Sequence, residues 1–168
     1  MMLSMRDLDG RLGGPTVGYD IKADWDGEHL RGRIGGELIG KDMDLALRDT
    51  TLGGRIGGAF GGFDARGTVN DQRVEVRLGG EWEGDDLRLT LTSGEITGRF
   101  SGQTMGKDVR LRVEGTALRG RIGGPVDGKD VDLQFGQIPL QLAALAAVCA
   151  FKALEDDQGS AAAGTGSS

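Results

Sequence analysis

The chain has 168 residues, 32 of them glycine and only 3 proline, and 27% are charged, which excludes collagen-like and simply disordered composition. A formal charge of -6 and a pI near 4.8 oppose a general nucleic-acid binder, which needs positive charge to neutralise phosphate. The length suits one domain with a substantial core.

Residues 1–7 form a lead-in, MMLSMRD, with no apolar signal segment, so a cytoplasmic setting is expected. From Leu8 the chain repeats with a period of 22 residues, beginning at Leu8, Leu30, Leu52, Val74, Ile96 and Leu118. Four positions never vary: an Arg (Arg11, Arg33, Arg55, Arg77, Arg99, Arg121), a Gly (Gly14 to Gly124), a second Gly (Gly18 to Gly128) and an Asp (Asp20, Asp42, Asp64, Asp86, Asp108, Asp130).

Within LRGRIGGELIGKDMDLAL, Leu30, Gly32, Ile34, Gly36 and Leu38 alternate with polar residues, and the alternation resumes at Met43, Leu45 and Leu47. Period two on both sides of Ile39-Gly40 predicts a hairpin with one buried face. A two-residue Ile-Gly turn would pair Leu38 with Lys41, set Ile34 opposite Leu45 and Gly32 opposite Leu47, and use the Gly for positive φ, as in Asp127-Gly128. Polar links such as Arg48-Asp49-Thr50-Thr51 join one hairpin to the next.

Six hairpins make a twelve-stranded antiparallel meander, and closing it into a barrel removes its edges. A β-solenoid of 22-residue coils is the alternative reading. Strands about 4.8 Å apart and tilted about 40° give a cylinder roughly 24 Å across, wide enough for a helix of about 10 Å along its axis. Inward rings of glycine, Gly14, Gly36, Gly58, Gly80, Gly102 and Gly124 in one and Gly10, Gly32, Gly54, Gly98 and Gly120 in another, are expected to make room for it.

That helix is predicted over about 138–155, IPLQLAALAAVCAFKAL, apolar on every side and therefore surrounded by protein. With about 14 apolar residues before Lys152 it is too short to span a bilayer. Residues 8–157 thus form a single domain, and 158–168, rich in Gly, Ser and Ala, are read as a flexible tail.

Twelve antiparallel strands followed by LQLAALAAVCAFKALED resemble the plan of the tubby-like fold, shared by the tubby C-terminal domain, phospholipid scramblases and LURP-one-related proteins, over residues 8 to about 155. The resemblance implies a barrel around its terminal helix and binding to phosphoinositides.

The inventory for catalysis is poor. His29 lies in a link and Cys149 in the apolar helix, so no nucleophile and base converge, and neither an enzyme nor a cofactor is expected. The six Gly-x-Asp turns distantly resemble calcium-binding repeats, but one per 22 residues cannot stack ligands; a carboxylate capping backbone N–H groups is the plainer reading.

The arginines carry the functional expectation. Tight links would set Arg77 beside Arg66, Arg99 beside Arg88 and Arg121 beside Arg110, like charges directly opposite, whereas Arg55 would face Asp44. With Arg112 these form a candidate patch for phosphate or an anionic phospholipid headgroup, since guanidinium binds phosphate bidentately. Arginines laid over an ordinary solvated sheet face are the competing reading. The function expected is therefore a non-enzymatic binding barrel on an anionic membrane surface; the alternative is a structural or self-associating module that docks another protein.

Overall fold

The alternation produces strands that all pair with their sequence neighbours. They are β1 (Leu8–Gly13), β2 (Gly18–Trp25), β3 (His29–Gly35), β4 (Gly40–Arg48), β5 (Thr51–Ile56), β6 (Phe63–Val69), β7 (Arg73–Gly79), β8 (Gly84–Thr92), β9 (Glu95–Ser101), β10 (Gly106–Glu114), β11 (Ala117–Ile122) and β12 (Lys129–Gln134). A computed structural model describes residues 7–14, 17–35, 40–58, 62–80, 84–101, 106–124 and 128–165. Every pairing is antiparallel and β12 bonds back to β1, so the sheet is a closed barrel rather than a solenoid stack. The expected turn residues Leu38, Ile39 and Asp127, and the glycines Gly36 and Gly102, lie outside the described residues.

The register within each repeat differs from the two-residue turn. Gly35 pairs with Gly40, Ile34 with Lys41 and Arg33 with Asp42, leaving four residues between the strands. The tight turns fall instead at the links: Arg48 pairs with Thr51 and Thr92 with Glu95, with left-handed φ at Asp49, Ser93 and Gly94. Positive φ at the repeat loops falls at Gly13, Gly35, Gly57, Gly79 and Gly123, one place before the invariant Gly, and at the expected turn glycine in the third repeat, Gly62. A shift of four residues keeps every side chain on its face, so the alternation could not detect it.

The register also advances around the barrel. Asp20 faces Gly35, two places beyond Arg33, its counterpart to Arg11, so each pair of strands slips by two residues. That stagger over two strand spacings corresponds to a tilt of about 35°.

Inside runs α1 (Leu140–Thr165). Its first turn is set by Pro139, whose carbonyl accepts the Leu142 and Ala143 N–H groups at 3.0 and 3.2 Å. Leu142 to Phe151 are buried, enclosed by inward residues of the strands such as Leu12, Ile21, Ile34, Leu45 and Leu133. Phe151 meets Phe100 edge to face at 5.6 Å. The Gln141 amide donates to the Asn70 carbonyl at the link end, and Lys152 pairs with Asp85 at 3.1 Å at the loop end. The helix therefore crosses the lumen from links to loops and continues through the Gly/Ser/Ala stretch read as a tail.

The glycines make room differently from the expected rings. An added Cβ at Gly14, Gly58 or Gly124 would meet nothing within 4 Å, so these three do not line the helix. At Gly10, Gly32, Gly54, Gly98 and Gly120 it would strike the backbone of the facing strand, 2.5 to 2.8 Å from the Cα of Leu133, Ala23, Leu45, Leu89 and Leu111. These pairs face each other directly in register, so the wall folds into a corner at each junction. The remaining junction, β6–β7, has Val76 where the others have Gly. There the opposite residue is Gly67, and its Cβ would lie 2.7 Å from the Val76 Cα. The corner needs one glycine, on either strand.

Candidate arginine face

The pairing expected between repeats is present. Arg66 faces Arg77, Arg88 faces Arg99, Arg110 faces Arg121, and Arg55 faces Asp44. The four-residue loop adds a second neighbour that the expected register hid: each invariant Arg faces the invariant Asp nine residues on. Arg11–Asp20 and Arg55–Asp64 close at 2.8 Å, Arg77–Asp86 at 3.1 Å, Arg121–Asp130 at 2.8 Å, Arg33–Asp42 at 3.2 Å and Arg99–Asp108 at 3.7 Å. The guanidiniums of Arg11, Arg55, Arg77 and Arg121 also donate to the carbonyls of Gly14, Gly58, Gly80 and Gly124.

Each invariant Arg thus clasps the two strands of its own hairpin through the invariant Asp, and among the described residues no backbone N–H donates to those Asp carboxylates. The patch as a whole does not lack acidic partners, because Arg77, Arg99 and Arg121 have theirs. Arg112 is also committed: it donates to Glu114 at 2.7 Å, and Arg119 reaches the other oxygen at 2.9 Å. The Arg112 and Arg119 guanidiniums hold the Glu114 carboxyl below the usual range.

Arg66, Arg88 and Arg110 remain. All three are exposed, and among the described residues none makes an ion pair or side-chain hydrogen bond. Arg66 stands between Gly53 and Arg77, Arg110 between Thr97 and Arg121, and Arg88 between Glu75 and Arg99. They recur at the 22-residue period, two strands across and two residues along, which spaces neighbouring α-carbons by roughly 12 Å.

Arg110 lies in a groove. The groove, of about 610 Å³, lies at β9, β10 and β11, and the residues that line it include the outward Glu95, Thr97, Asp108, Arg110, Arg112 and Arg119.

Away from the arginine face, His29 begins β3 and places Nδ1 3.0 Å from Asp44, which also accepts from Arg31. Burial pushes the Cys149 thiol up to about 12. Among the described residues no three His, Cys, Asp or Glu side chains are grouped to hold a metal ion. No described helix is long and apolar enough to cross a membrane. The outward strand positions carry Arg, Asp, Lys and Thr where a membrane-crossing barrel presents an apolar band. No family model, curated protein or solved structure matches the chain.

Sequence reasoning had the Arg–Arg neighbours but missed the clasp. Its signal was available: an Arg and an Asp, both invariant, both outward, nine residues apart in all six repeats.

Proposed function

We propose that the chain is a non-enzymatic binding barrel that meets anionic phospholipid headgroups, from the cytoplasmic side, through Arg66, Arg88 and Arg110. The observation that carries this reading is that each of these exposed guanidiniums sits beside a second arginine and has no carboxylate bound to it. Like charges in facing positions disfavour the folded sheet, and a multivalent phosphate surface relieves that repulsion while offering bidentate acceptors. The lumen is filled by α1, which leaves the outer wall as the surface for recognition. The resemblance in plan to tubby-like barrels is in keeping with it.

The test is co-sedimentation with phosphatidylserine vesicles at low and high salt. Binding should fade with ionic strength and be lost in the triple variant R66S/R88S/R110S, whose melting midpoint should be unchanged or slightly raised. Absence of binding at low salt, or equal binding by the triple variant, would reject the membrane reading.

A second reading, a structural or self-associating module, is favoured by one observation. The most regular outer feature, the Arg–Asp–Gly clasp, serves the fold itself. Concentration-dependent oligomers in sedimentation velocity, without vesicle binding, would support that reading.

A further inference from the structure

The groove over β9–β11 holds two unsatisfied charges of opposite sign. Arg110 has no partner among the described residues, and Arg121, directly opposite it on β11, is already clasped to Asp130. On β9, Glu95 faces Arg112, yet Arg112 has turned along its own strand to Glu114 at 2.7 Å, so Glu95 too is unpaired among the described residues. Arg110 and Glu95 occupy diagonal positions of one strand pair, where Cβ atoms stand about 7 Å apart. Both line the groove, together with Thr97, which faces Arg110 in register.

The other charges in the groove are spoken for. Arg119 binds Glu114 and Asp132, and Asp108 is held by Arg99. The free charge is therefore one positive and one negative on adjacent strands, with Cβ atoms about 7 Å apart.

We infer that this groove binds a small zwitterion, with a singly charged oxyanion on the Arg110 guanidinium, a hydrogen bond from the Thr97 hydroxyl, and an ammonium on the Glu95 carboxylate. A doubly charged phosphate monoester would leave charge unmatched and face Glu95 unfavourably. This goes beyond the membrane reading, since it concerns one groove and a ligand of no net charge. The same chemistry occurs in a free solute and in the headgroup of an ethanolamine phospholipid.

Isothermal titration would use glycerophosphoethanolamine, with dimethyl phosphate and ethanolamine as the halves lacking one charge each. The intact zwitterion should bind at least tenfold more tightly than either half. Glu95→Gln should remove that advantage while leaving dimethyl phosphate binding as it was, and Arg110→Gln should abolish both. Both residues are exposed, so unchanged melting midpoints will show that the variants fold. Equal binding of zwitterion and dimethyl phosphate, an unaffected Glu95→Gln variant, or no binding at millimolar concentration would overturn the inference. Phosphatidylethanolamine vesicles assign the source: capture that depends on Glu95 indicates the headgroup, and soluble binding without capture indicates a free solute. Because the membrane reading rests on phosphatidylserine vesicles and three arginines, either can fail without the other.

Discussion

Arg55 holds Asp64 at 2.8 Å across the β5–β6 loop and turns the rest of its guanidinium back onto the Gly58 carbonyl, three residues along its own chain. Arg88, equally outward, binds nothing among the described residues and faces Arg99. The two should respond oppositely to neutralisation. Arg55→Gln should lower the urea midpoint by an amount equivalent to about 1 kcal/mol, since exposed ion pairs contribute up to about that much. Arg88→Gln should leave it unchanged or raise it. Equal losses in both would show that the clasp contributes nothing particular.

Neighbouring glycines on β5 separate just as sharply. At Gly53 a Cβ would meet nothing, whereas at Gly54 it would strike the Asp44 carbonyl and lie 2.8 Å from the Leu45 Cα. Gly53→Ala should be neutral or stabilising by about 0.4–1 kcal/mol, through loss of unfolded-state freedom. Gly54→Ala forces backbone apart and should be clearly destabilising. The β6–β7 corner permits a stricter check: Gly67→Val should destabilise, and adding Val76→Gly should restore most of the loss. A second substitution that merely adds its own cost would mean that the corner does not exchange its glycine.

The buried thiol makes stability depend on alkaline pH. Cys149 is neutral in the folded chain until about 12, raised from 9.0 by burial, so between those values the unfolded state has lost a proton that the folded state keeps. Unfolding stability then falls as pH rises through this window. The urea midpoint should decline from pH 8.5 to 10.5 in the native sequence and decline less in Cys149→Ala. In the native state the thiol should react with a disulfide reagent only as fast as the barrel opens. Rapid labelling below the unfolding transition would show that α1 leaves the lumen without global unfolding.

Much of the barrel was legible because its signals are periodic. The 22-residue repeat supplied six hairpins, the all-round apolar Leu142 to Phe151 segment supplied an enclosed helix, and the short polar links set Arg66 beside Arg77. What escaped was any quantity that survives a shift by an even number of residues. Placing Arg33 opposite Asp42 instead of Ala46 changes no inward residue, so alternation was silent where the clasp depends on it. The glycine rings were misjudged for a related reason. Parity places Gly54 on the inner face, but only the bend of the wall shows that the backbone of Leu45, and not the helix, occupies the space a Cβ would take. The groove was hidden because its free charges follow from which neighbour Arg112 and Arg121 choose.

The bond between β1 and β12 constrains the order in which the molecule is made. The segment that must end up enclosed is synthesised after the last stave of the wall, so the hairpins can form one by one during synthesis but the ring has to stay open until α1 lies against them. Throughout that interval β1 is an unpaired edge, the kind of template on which chains aggregate. Its outward residues are Asp9 and Arg11, which take partners on β12 only at closure. Asp9 and the clasp residue Arg11 therefore also guard the nascent chain while its first strand waits for its last.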